Sequence, residues 1–530
     1  MLGKVRLYDY RCFLRDSPAE LEIHEGFTSF VGPNNAGKSA LIRFPYEMRS
    51  VLTQLTNALS QQYWQGLLGE MSWNVAAGLY ERAEIVSERN DPQCKIEIEP
   101  AFQTPMNGDA VARIQLEFQN DGSTFHCKFF NRNFVQIGGE NSPALAKLEG
   151  DFLSTNDGVR FSVAPVKQFL AVLTSIQYIG PFRNAINEGA GAHFDMQVGT
   201  GFITQWNGWK TGPSRKENRA ILRVTDDVRR LVGAETLDIA AAVDGKSLQV
   251  TLDSRPHKLA ELGSGFAQMV LILANALVRK PSLIIIDEPE LHLHPSLQTE
   301  FLTTLASYSE YGIIFATHSI GLARQAADRC FTVRRVGQES RVRPYERTPH
   351  LGEFLGSLGI AGLQELGWDT VLLVEGVKDV RTTQALLRHY GKDRRTVVVP
   401  LGGDAMANGN TADELAEVVR LAGADGKIAA LVDSERDAAD GEAIKARRGF
   451  AAICEQFKIA YCVTQRRALE NYITQNALNE AFGAGKYSAL NPYDRPSNPF
   501  WGKGETWRAA KVMTREELAD TDVGQFLEKL

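Results

Sequence analysis

The chain has 530 residues, of which 44% are hydrophobic and 23% are charged, and its formal net charge is −6. This length predicts about two to four folding units, and the composition excludes a disordered or fibrous protein. The negative balance gives no general attraction to a phosphate backbone, so nucleic-acid binding would need a local basic patch.

The apolar runs and the cysteines indicate the cellular setting. The longest apolar runs, MVLILANALV and LIIIDEPEL, are too short to cross a bilayer, and the first residues contain no apolar signal segment. The six cysteines form no C-x-x-C pair, which argues against a disulfide framework and a structural zinc site. We therefore expect a cytoplasmic protein with free thiols and no membrane association.

The stretch GPNNAGKS, residues 32–39, fits the phosphate-binding pattern G-x-x-x-x-G-K-[ST]. The apolar FTSFVG predicts a buried strand before it, and SALIRF predicts a helix after it, which is the context that the pattern needs. Loop N–H groups would surround the phosphates, Lys38 would reach the β and γ oxygens, and Ser39 would bind magnesium. The other candidate nucleotide-binding residues of the loop are Gly32, Asn34, Asn35 and Gly37.

An inserted segment is predicted at roughly residues 45–170, because the spacing to the next motif exceeds what a compact ATPase lobe requires. Its first part has helical spacing of apolar residues, and residues 95–135 alternate like antiparallel strands. It has no heptads long enough for a coiled-coil arm. Dimer contacts are the expectation for it. After it, YIGPFR predicts a strand that returns to the ATPase lobe, with Arg183 either at a phosphate or interface or simply on the surface.

In ELGSGFAQ, residues 261–268, two glycines and a serine precede an apolar helix. Such a turn can bind an anion, so Ser264 and Gly265 are candidates for the γ-phosphate of a nucleotide held by another subunit.

In LIIIDEPE, residues 283–290, a buried parallel strand is predicted to end in two carboxylates. Asp287 would hold the magnesium shell, and Glu288 would orient or deprotonate the attacking water. GIIFATHS predicts another such strand, which ends in His318, a side chain placed to sense the γ-phosphate. His292 and His294 could bind a metal, but interface or capping contacts are the expected role for them.

An arginine-rich stretch, TVRRVGQESRVRPYERTPH, is predicted to form edge strands followed by a linker. Its arginines either lie against a phosphate backbone or belong to a solvated strand pair, and the second interpretation is favoured. These residues are Arg334, Arg335, Arg341, Arg343 and Arg347.

The C-terminal third alternates strands and helices: TVLLVEG, RTVVVPLGG, KIAALVDSE and KIAYCVT are each separated by helical stretches. This pattern predicts a parallel sheet with helices on its faces and a ligand at the carboxyl ends of its strands. Oxygen ligands without cysteine or histidine suit magnesium or manganese. The acids at those ends are Glu375, Asp379, Asp433, Glu435 and Asp437.

The motifs GPNNAGKS, LGSGFAQ, LIIIDEPELHLHP and ATHS, in that order, resemble the Walker A, signature, Walker B with D-loop, and H-loop of an ABC-type ATPase of the RecF/SMC kind. The resemblance implies two ATP sites at a dimer interface, where Ser264 completes the site of the opposite subunit. It therefore implies a homodimer or a higher homo-oligomer.

LVEGVKD, LGGD and LVDSERD resemble the E-G and D-x-D motifs of a Toprim domain, and RRALENYI resembles the motif that follows its sheet. A Toprim domain behind a RecF-like ATPase resembles the overcoming-lysogenization-defect (OLD) family nucleases over nearly the whole chain. In that family two metals activate a water and stabilise the leaving oxygen. The implied metal ligands are Glu375, Asp379, Asp433 and Glu435, with Glu470 as a further candidate, and Glu375 and Asp433 are also the implied catalytic acids.

One position departs from the family pattern, since Glu435 stands where an Asp is usual, which puts the geometry of the second metal in doubt and makes Asp437 an alternative. The resemblance also implies a lysine that stabilises transition-state charge. Lys503 and Lys511 compete for this role, and Lys503 is preferred.

We therefore predict an α/β protein with an ABC-type ATPase domain at 1–350 and a Rossmann-like, parallel-sheet Toprim domain at 368–530. Its expected function is ATP-regulated endonuclease cleavage of DNA with ATP and Mg²⁺, or Mn²⁺ at the Toprim site, in anti-phage defence, where a separately encoded partner is one option. The alternatives are an ATP-driven clamp or sensor whose Toprim domain does not cut, and a nuclease that acts on RNA such as tRNA.

Overall fold

The computed structural model describes most of the chain as two compact units. The described residues are 1–60, 71–72, 94–102, 109–118, 124–138, 143–180, 185–187, 196–198, 200–290, 293, 295–337, 339–344, 370–393, 395–401, 427–497 and 499–530. The first unit comprises Met1–Pro289, Tyr308–His318 and Phe331–Tyr345, and the second comprises Glu290–Ser307, Ser319–Cys330 and Glu346–Leu530. Across the described residues, no helix has the length and apolar character needed to span a membrane.

A six-stranded sheet forms the centre of the first unit. Its strand order is Gln177–Ile179, Leu283–Asp287, Gly312–Thr317, Gly26–Val31, Arg329–Val336 and Glu339–Pro344. The first four strands are parallel, and the last two pair antiparallel at one edge. The predicted returning strand, Walker strands and edge strands are thus confirmed.

The register of the parallel strands explains why distant motifs meet. Val31 is paired with Thr317, and Ala316 is paired with Asp287 on the next strand. The segments after these strands therefore leave the sheet at the same edge. Every residue of the three strands is buried, as expected for parallel strands covered on both faces.

A seven-stranded antiparallel sheet contains the strands predicted for the inserted segment. Lys95–Pro100 pairs with the N-terminal strand Gly3–Tyr8 on one side and with Arg113–Phe118 on the other. The antiparallel prediction is confirmed, but these strands continue a sheet that the N-terminus begins. The other members are Ala19–Ile23, Met71–Ser72, Thr124–Phe130 and Gln136–Ile137.

Helices and small sheets complete the first unit. Its helices are Lys38–Ile42, Phe44–Glu47, Arg49–Leu59, Ala164–Thr174, Thr200–Thr211, Arg215–Val232 and Ser264–Arg279, with a 3₁₀ turn at Leu259–Glu261. The small sheets contain the strands Leu145–Glu149, Phe152–Thr155 and Arg160–Ser162, the pair Ala185–Asn187 and Met196–Val198, and the strands Leu237–Ala241, Leu248–Leu252 and Arg255–Lys258.

The second unit is built on a four-stranded parallel sheet in the order Thr396–Pro400, Thr370–Val374, Lys427–Val432 and Ala460–Val463, as the alternation of strands and helices predicts. Thr370–Val374 and Lys427–Val432 are neighbours, so Glu375 and Asp433, the residues that follow them, leave the sheet side by side. The helices are Pro295–Ala306, Ile320–Ala326, Val377–Arg388, Lys445–Gln456, Gln475–Phe482, Thr506–Val512, Arg515–Ala519 and Asp522–Lys529, with 3₁₀ turns at Leu469–Tyr472 and Lys503–Glu505.

The compact units divide the chain differently from the predicted domains. The helices Pro295–Ala306 and Ile320–Ala326 belong to the second unit, although the sequence motifs around them belong to the ATPase. The predicted boundary, between 350 and 368, lies outside the described residues.

Candidate functional site

The phosphate-binding loop is held in a shape that only glycine permits at two positions. A Cβ atom at Gly32 would lie 2.1 Å from the carbonyl oxygen of Val333. Gly37 has φ 98°, a left-handed conformation, where it begins the helix Lys38–Ile42. Asn35 also has a positive φ of 59°, which asparagine tolerates better than most residues. Asn34 and Asn35 are exposed, so the loop is open to a ligand.

The Lys38 ammonium connects the loop to the residues that follow the neighbouring strands. It donates to the carbonyl oxygens of Gly32 and Pro33, at 2.8 and 3.0 Å. The His318 ring nitrogens lie 3.3 Å from Nζ of Lys38. His318 Nε2 is 3.2 Å from Glu288 Oε1. Three residues from separate motifs therefore form one continuous group.

A sharp backbone turn places Glu288 beside His318. Glu288 has φ 51°, and its N–H donates to the carbonyl oxygen of Ala316 at 2.8 Å. A positive φ in a residue other than glycine is uncommon and is often found at functional sites.

Asp287 is buried, with 1% of its surface exposed. Burial raises the pKa of its carboxyl group, the neighbouring Glu288 raises it further, and a hydrogen bond with Ser39 opposes the shift. Since Ser39 and Asp287 are the two predicted magnesium ligands, their contact supplies two adjacent oxygen donors of the kind magnesium prefers.

The signature residues lie at an exposed helix start. Ser264 is the first residue of the 16-residue helix Ser264–Arg279 and is exposed, as is Gly263 before it. Gly263 has φ 81°, so this turn also depends on glycine. Gly265 follows in the first turn, where helix N–H groups lack partners within the helix.

A second group, the carboxylate cluster, lies at the carboxyl edge of the parallel sheet and consists of Glu375, Asp379, Asp433, Glu470 and Lys503. Lys503 Nζ lies 3.0 Å from Asp433 Oδ2 and 3.5 Å from Asp379 Oδ1. Asp433 Oδ1 accepts a hydrogen bond from the N–H of Leu469 at 3.0 Å. The carboxylates of Asp379, Asp433 and Glu470 are all buried.

Burial and mutual repulsion dominate the electrostatics of the carboxylate cluster. Burial raises the pKa of Asp379 to about 7 and that of Glu470 to about 8, and neighbouring carboxylates add to both shifts while Lys503 opposes them. Burial lowers the pKa of Lys503, but Asp433, Asp379 and Glu470 outweigh it, and the net shift is upward. Lys503 therefore stays charged and acts as a counter-ion.

Arg447 is a member of this site that sequence reasoning missed. It forms an ion pair with Glu375 Oε1, and its Nε donates to the carbonyl oxygen of Asp433 at 3.1 Å. It lies on the helix Lys445–Gln456, outside every recognised motif. Burial, followed by the charge of Asp433, raises the pKa of Glu375, and Glu375 Oε2 is buried without a hydrogen-bond partner.

Glu435 and Asp437 both form ion pairs with Arg467. Asp437 also pairs with Arg495 at 3.1 Å, and its side chain is 66% exposed. Arg467 thus competes for the Glu435 carboxylate, and ligand roles for Glu435 and Asp437 stay predictions. Lys511 lines a cavity of about 30 Å³ together with Glu300, Arg388 and Trp507.

The carboxylate cluster has the donor atoms that a divalent ion requires, but in this structure protein cations balance its negative charge. Among the described residues, no three His, Cys, Asp or Glu side chains form a ready metal site. Lys503 and Arg447 pair with the carboxylates instead. The all-oxygen donors and the buried Glu375 Oε2, which has no hydrogen-bond partner, fit magnesium or manganese once Lys503 moves aside.

The other predicted residues are either at the surface of the edge strands or outside the described residues. Arg334, Arg335 and Arg343 are exposed on the edge strands, as a solvated strand pair would be, and Arg341 pairs with Glu339. The remaining residues and motif lie outside the described residues, namely Arg183, His292, His294, Arg347 and most of LGGD.

A family model matches the segment of the chain that contains the signature and Walker B motifs. Residues 212–324 match the family model described as "AAA domain, putative AbiEii toxin, Type IV TA system". This span contains Ser264, Asp287, Glu288 and His318. Over these residues the chain is therefore similar to ATPase domains of the AAA class.

Curated relatives are ATP-binding proteins of transport systems. The chain is 32% identical over 167 residues to the glutathione import ATP-binding protein GsiA of Pectobacterium atrosepticum, covering 28% of this chain and 26% of that protein. It is 40% identical over 104 residues to the glutamate transport ATP-binding protein GluA of Corynebacterium efficiens, covering 19% and 42%. The chain thus spans less than half of either relative.

Solved structures include the SMC head domain from Thermotoga maritima, at 16% identity and a TM-score of 0.33, covering 65% of this chain and 99% of that chain. An SMC head bound to the C-winged helix domain of ScpA is similar at 13% identity and a TM-score of 0.36, covering 65% of this chain and 98% of that chain.

Proposed function

We propose that the chain is an ATP-regulated, divalent-metal-dependent endonuclease that cleaves DNA. The observation that carries the proposal is the convergence of Glu375, Asp379, Asp433 and Glu470 around Lys503 at the carboxyl edge of a parallel sheet. Ligands of open α/β sheets bind at this edge. Gathering four acids in one site costs folding free energy unless cations balance their charge. Such costly clusters occur mainly where a functional site uses them.

The ATPase half of the proposal follows from the contacts of the first unit. Lys38 would bind the β and γ phosphates, and Ser39 with Asp287 would hold magnesium. Glu288 positions the attacking water, since His318 lies 3.2 Å from its carboxylate and fixes its direction. The exposed Ser264 completes the site of a second copy of the chain, so the working form is a homodimer or a larger homo-oligomer.

The nuclease half assigns each residue of the carboxylate cluster a task. Glu375, Asp379, Asp433 and Glu470 would hold divalent ions, which would supply activation of a water and charge stabilisation at the leaving oxygen. Arg447 holds Glu375 and the backbone of Asp433 in place. Lys503 moves from the carboxylates to the scissile phosphate, where its ammonium group balances the charge that develops in the transition state.

Defence against phage is the proposed role, either alone or with a separately encoded partner. The matched family description names a putative toxin of a toxin–antitoxin system, which supports a role in which activity is restrained until it is needed.

A second candidate function is an ATP-driven clamp that binds nucleic acid without cutting it. The pairing of Glu435 with Arg467 favours this candidate, because it withdraws one predicted ligand of the second metal. A clamp would retain DNA in an ATP-dependent way and leave every strand intact.

One assay separates these functions. Purified protein is incubated with supercoiled DNA or tRNA, with and without ATP, in magnesium or manganese. Nicking or linearisation that Glu375→Gln abolishes supports the nuclease, and Glu442→Gln, at a carboxylate whose side chain is 74% exposed, is the matched control. Intact DNA retained only with ATP supports the clamp, and cleavage of tRNA alone assigns an RNA substrate. Normal ATP hydrolysis by Lys38→Ala would contradict the ATPase half.

A further inference from the structure

We infer that Arg381 is a positioning residue that fixes the helix carrying Asp379 to the segment that follows His318, so that the nucleotide state alters the carboxylate cluster. The inference rests on the proposed function, which assigns chemistry to the two sites. It goes further by naming the route between them.

Arg381 is a fully buried cation that neither proposed reaction uses. Its side chain has 0% exposure. Nη1 donates to the carbonyl oxygen of Ala326, and Nη2 pairs with Asp328 Oδ1, both at 2.7 Å. A buried charge is tolerated only with well-oriented partners, so these contacts define one arrangement of the elements that they join.

The elements joined by Arg381 lead to both candidate sites. Ala326 ends the helix Ile320–Ala326, whose N-terminal cap is Ser319, the residue after His318. The Ser319 side chain accepts a hydrogen bond from the N–H of Leu322 at 3.1 Å, which ties the helix to the turn that contains His318. A displacement of His318 is therefore carried along a short, capped helix to Ala326.

On the other side, Arg381 and Asp379 belong to the same helix, Val377–Arg388. Two residues along a helix are separated by about 200° around its axis, so the two side chains point to different sides. Asp379 points to Lys503, and Arg381 points to Ala326 and Asp328. One rigid helix thus connects the carboxylate cluster to the segment after His318.

The helix Pro295–Ala306 follows the Glu288 segment. It makes similar polar contacts within the second unit. Thr299 donates to Gln325 Oε1 at 3.1 Å, and Gln325 Nε2 donates to the carbonyl oxygen of Val398 on the parallel sheet at 3.2 Å. Both Thr299 and Gln325 are buried.

Farther along the same helix, Glu300 pairs with Arg388 of the helix that carries Asp379. The segments that follow Glu288 and His318 therefore make polar contacts with the helix Val377–Arg388 and the parallel sheet of their own unit. Directional contacts resist sliding in a way that apolar packing does not.

The test measures hydrogen–deuterium exchange of full-length protein with and without ATP, in a Glu288→Gln background that retains the nucleotide. In the parent we expect ATP to slow exchange in residues 32–42 and also to change exchange in 377–388. In Arg381→Met and in Asp328→Asn, the change in 377–388 should disappear while that in 32–42 persists. Arg515→Met, which removes an exposed ion pair with Glu528 in the same unit, should behave as the parent.

The outcomes that contradict the inference are distinct from those that contradict the proposed function. If ATP does not change exchange at residues 32–42 in the parent, the assignment of the ATP site is wrong, and the inference fails with it. An effect at 32–42 without one at 377–388 overturns the inference alone. Asp328→Asn removes the charge that pairs with Arg381 at nearly unchanged side-chain volume, and so provides a folded variant if Arg381→Met is too unstable. In the cleavage assay, both variants should keep metal-dependent cutting and lose its response to ATP.

Discussion

At the scale of single residues, two cations balance the carboxylate cluster: Lys503 pairs with Asp433 and Asp379, and Arg447 pairs with Glu375. Strand ends predicted Glu375 and Asp433 as neighbours, because register follows directly from a parallel sheet. The contacts of Glu435 could not be predicted, since its pairing with Arg467 depends on a backbone turn with φ 56°. Arg447 and Arg381 were also missed, because an arginine in a helix is ordinarily exposed.

Lys503→Met should destabilise the metal-free protein, because it leaves buried carboxylates without their counter-charge. We expect the free energy of unfolding to fall by about 1–3 kcal/mol, limited by the partial exposure of Lys503. Urea unfolding in the presence of a chelator measures this loss, and Mn²⁺ should restore most of it. Lys486→Met, at an exposed lysine, should have little effect. Equal stability of Lys503→Met and the parent in chelator would contradict the counter-ion role.

The stability of the metal-free protein should fall as pH rises from about 4 to 8. Folded Asp379 and Glu470 have pKa values of about 7 and about 8, above those of the unfolded chain, so the folded state keeps protons that the unfolded state releases. Each group contributes a slope of up to about 1.4 kcal/mol per pH unit between its two pKa values. Urea unfolding at several pH values measures the slope, which Asp379→Asn combined with Glu470→Gln should flatten.

Metal binding should strengthen over the same pH range, since ions displace the protons of Asp379 and Glu470. We expect Mn²⁺ affinity to rise by up to about tenfold per pH unit for each proton released. Calorimetry in two buffers with different ionisation enthalpies counts these protons directly. An affinity independent of pH between 6 and 8 would show that these carboxyl groups do not bind the ion.

At the scale of elements, local sequence patterns predicted individual strands, but they did not predict which distant strands pair. The strand Gly26–Val31 and the loop after it followed from an apolar run and a motif. The pairing of Gly3–Tyr8 with Lys95–Pro100 joins segments far apart in sequence, and no local signal specifies such a partner. The helix Ile320–Ala326 follows the ATHS motif in sequence, and it belongs to the same compact unit as Arg381.

Gly32→Ala should abolish nucleotide binding, because the added methyl group would overlap the carbonyl oxygen of Val333, 2.1 Å away, and displace the loop. Binding of a fluorescent ATP analogue measures the loss. Gly449→Ala is the matched control: nothing lies within 4 Å of its Cβ position in the helix Lys445–Gln456. It should retain ATP binding and gain about 0.5–1 kcal/mol of stability. ATP binding by Gly32→Ala at the parental affinity would contradict the loop assignment.

At the scale of the whole molecule, the proposed function requires a second copy of the chain to complete the ATP site. Ser264→Arg should therefore reduce ATP turnover without weakening ATP binding to Lys38, because the exposed helix start acts in trans. Turnover per protomer should also rise with protein concentration, and Glu288→Gln with ATP should sediment as a dimer. Thr251→Arg, on an exposed strand position of the same unit, is the control. Turnover by Ser264→Arg at the parental rate would contradict a shared site.

The burial of Arg381 against Ala326 and Asp328 also limits how this protein can be dissected. An N-terminal fragment that stops before the parallel sheet would keep both Asp328 and the helix Pro295–Ala306 but lose the surface that covers them. A C-terminal fragment would expose the charged guanidinium group of Arg381 without its partners. Either fragment expressed alone should aggregate. Single substitutions in the full-length chain are therefore the way to separate its activities.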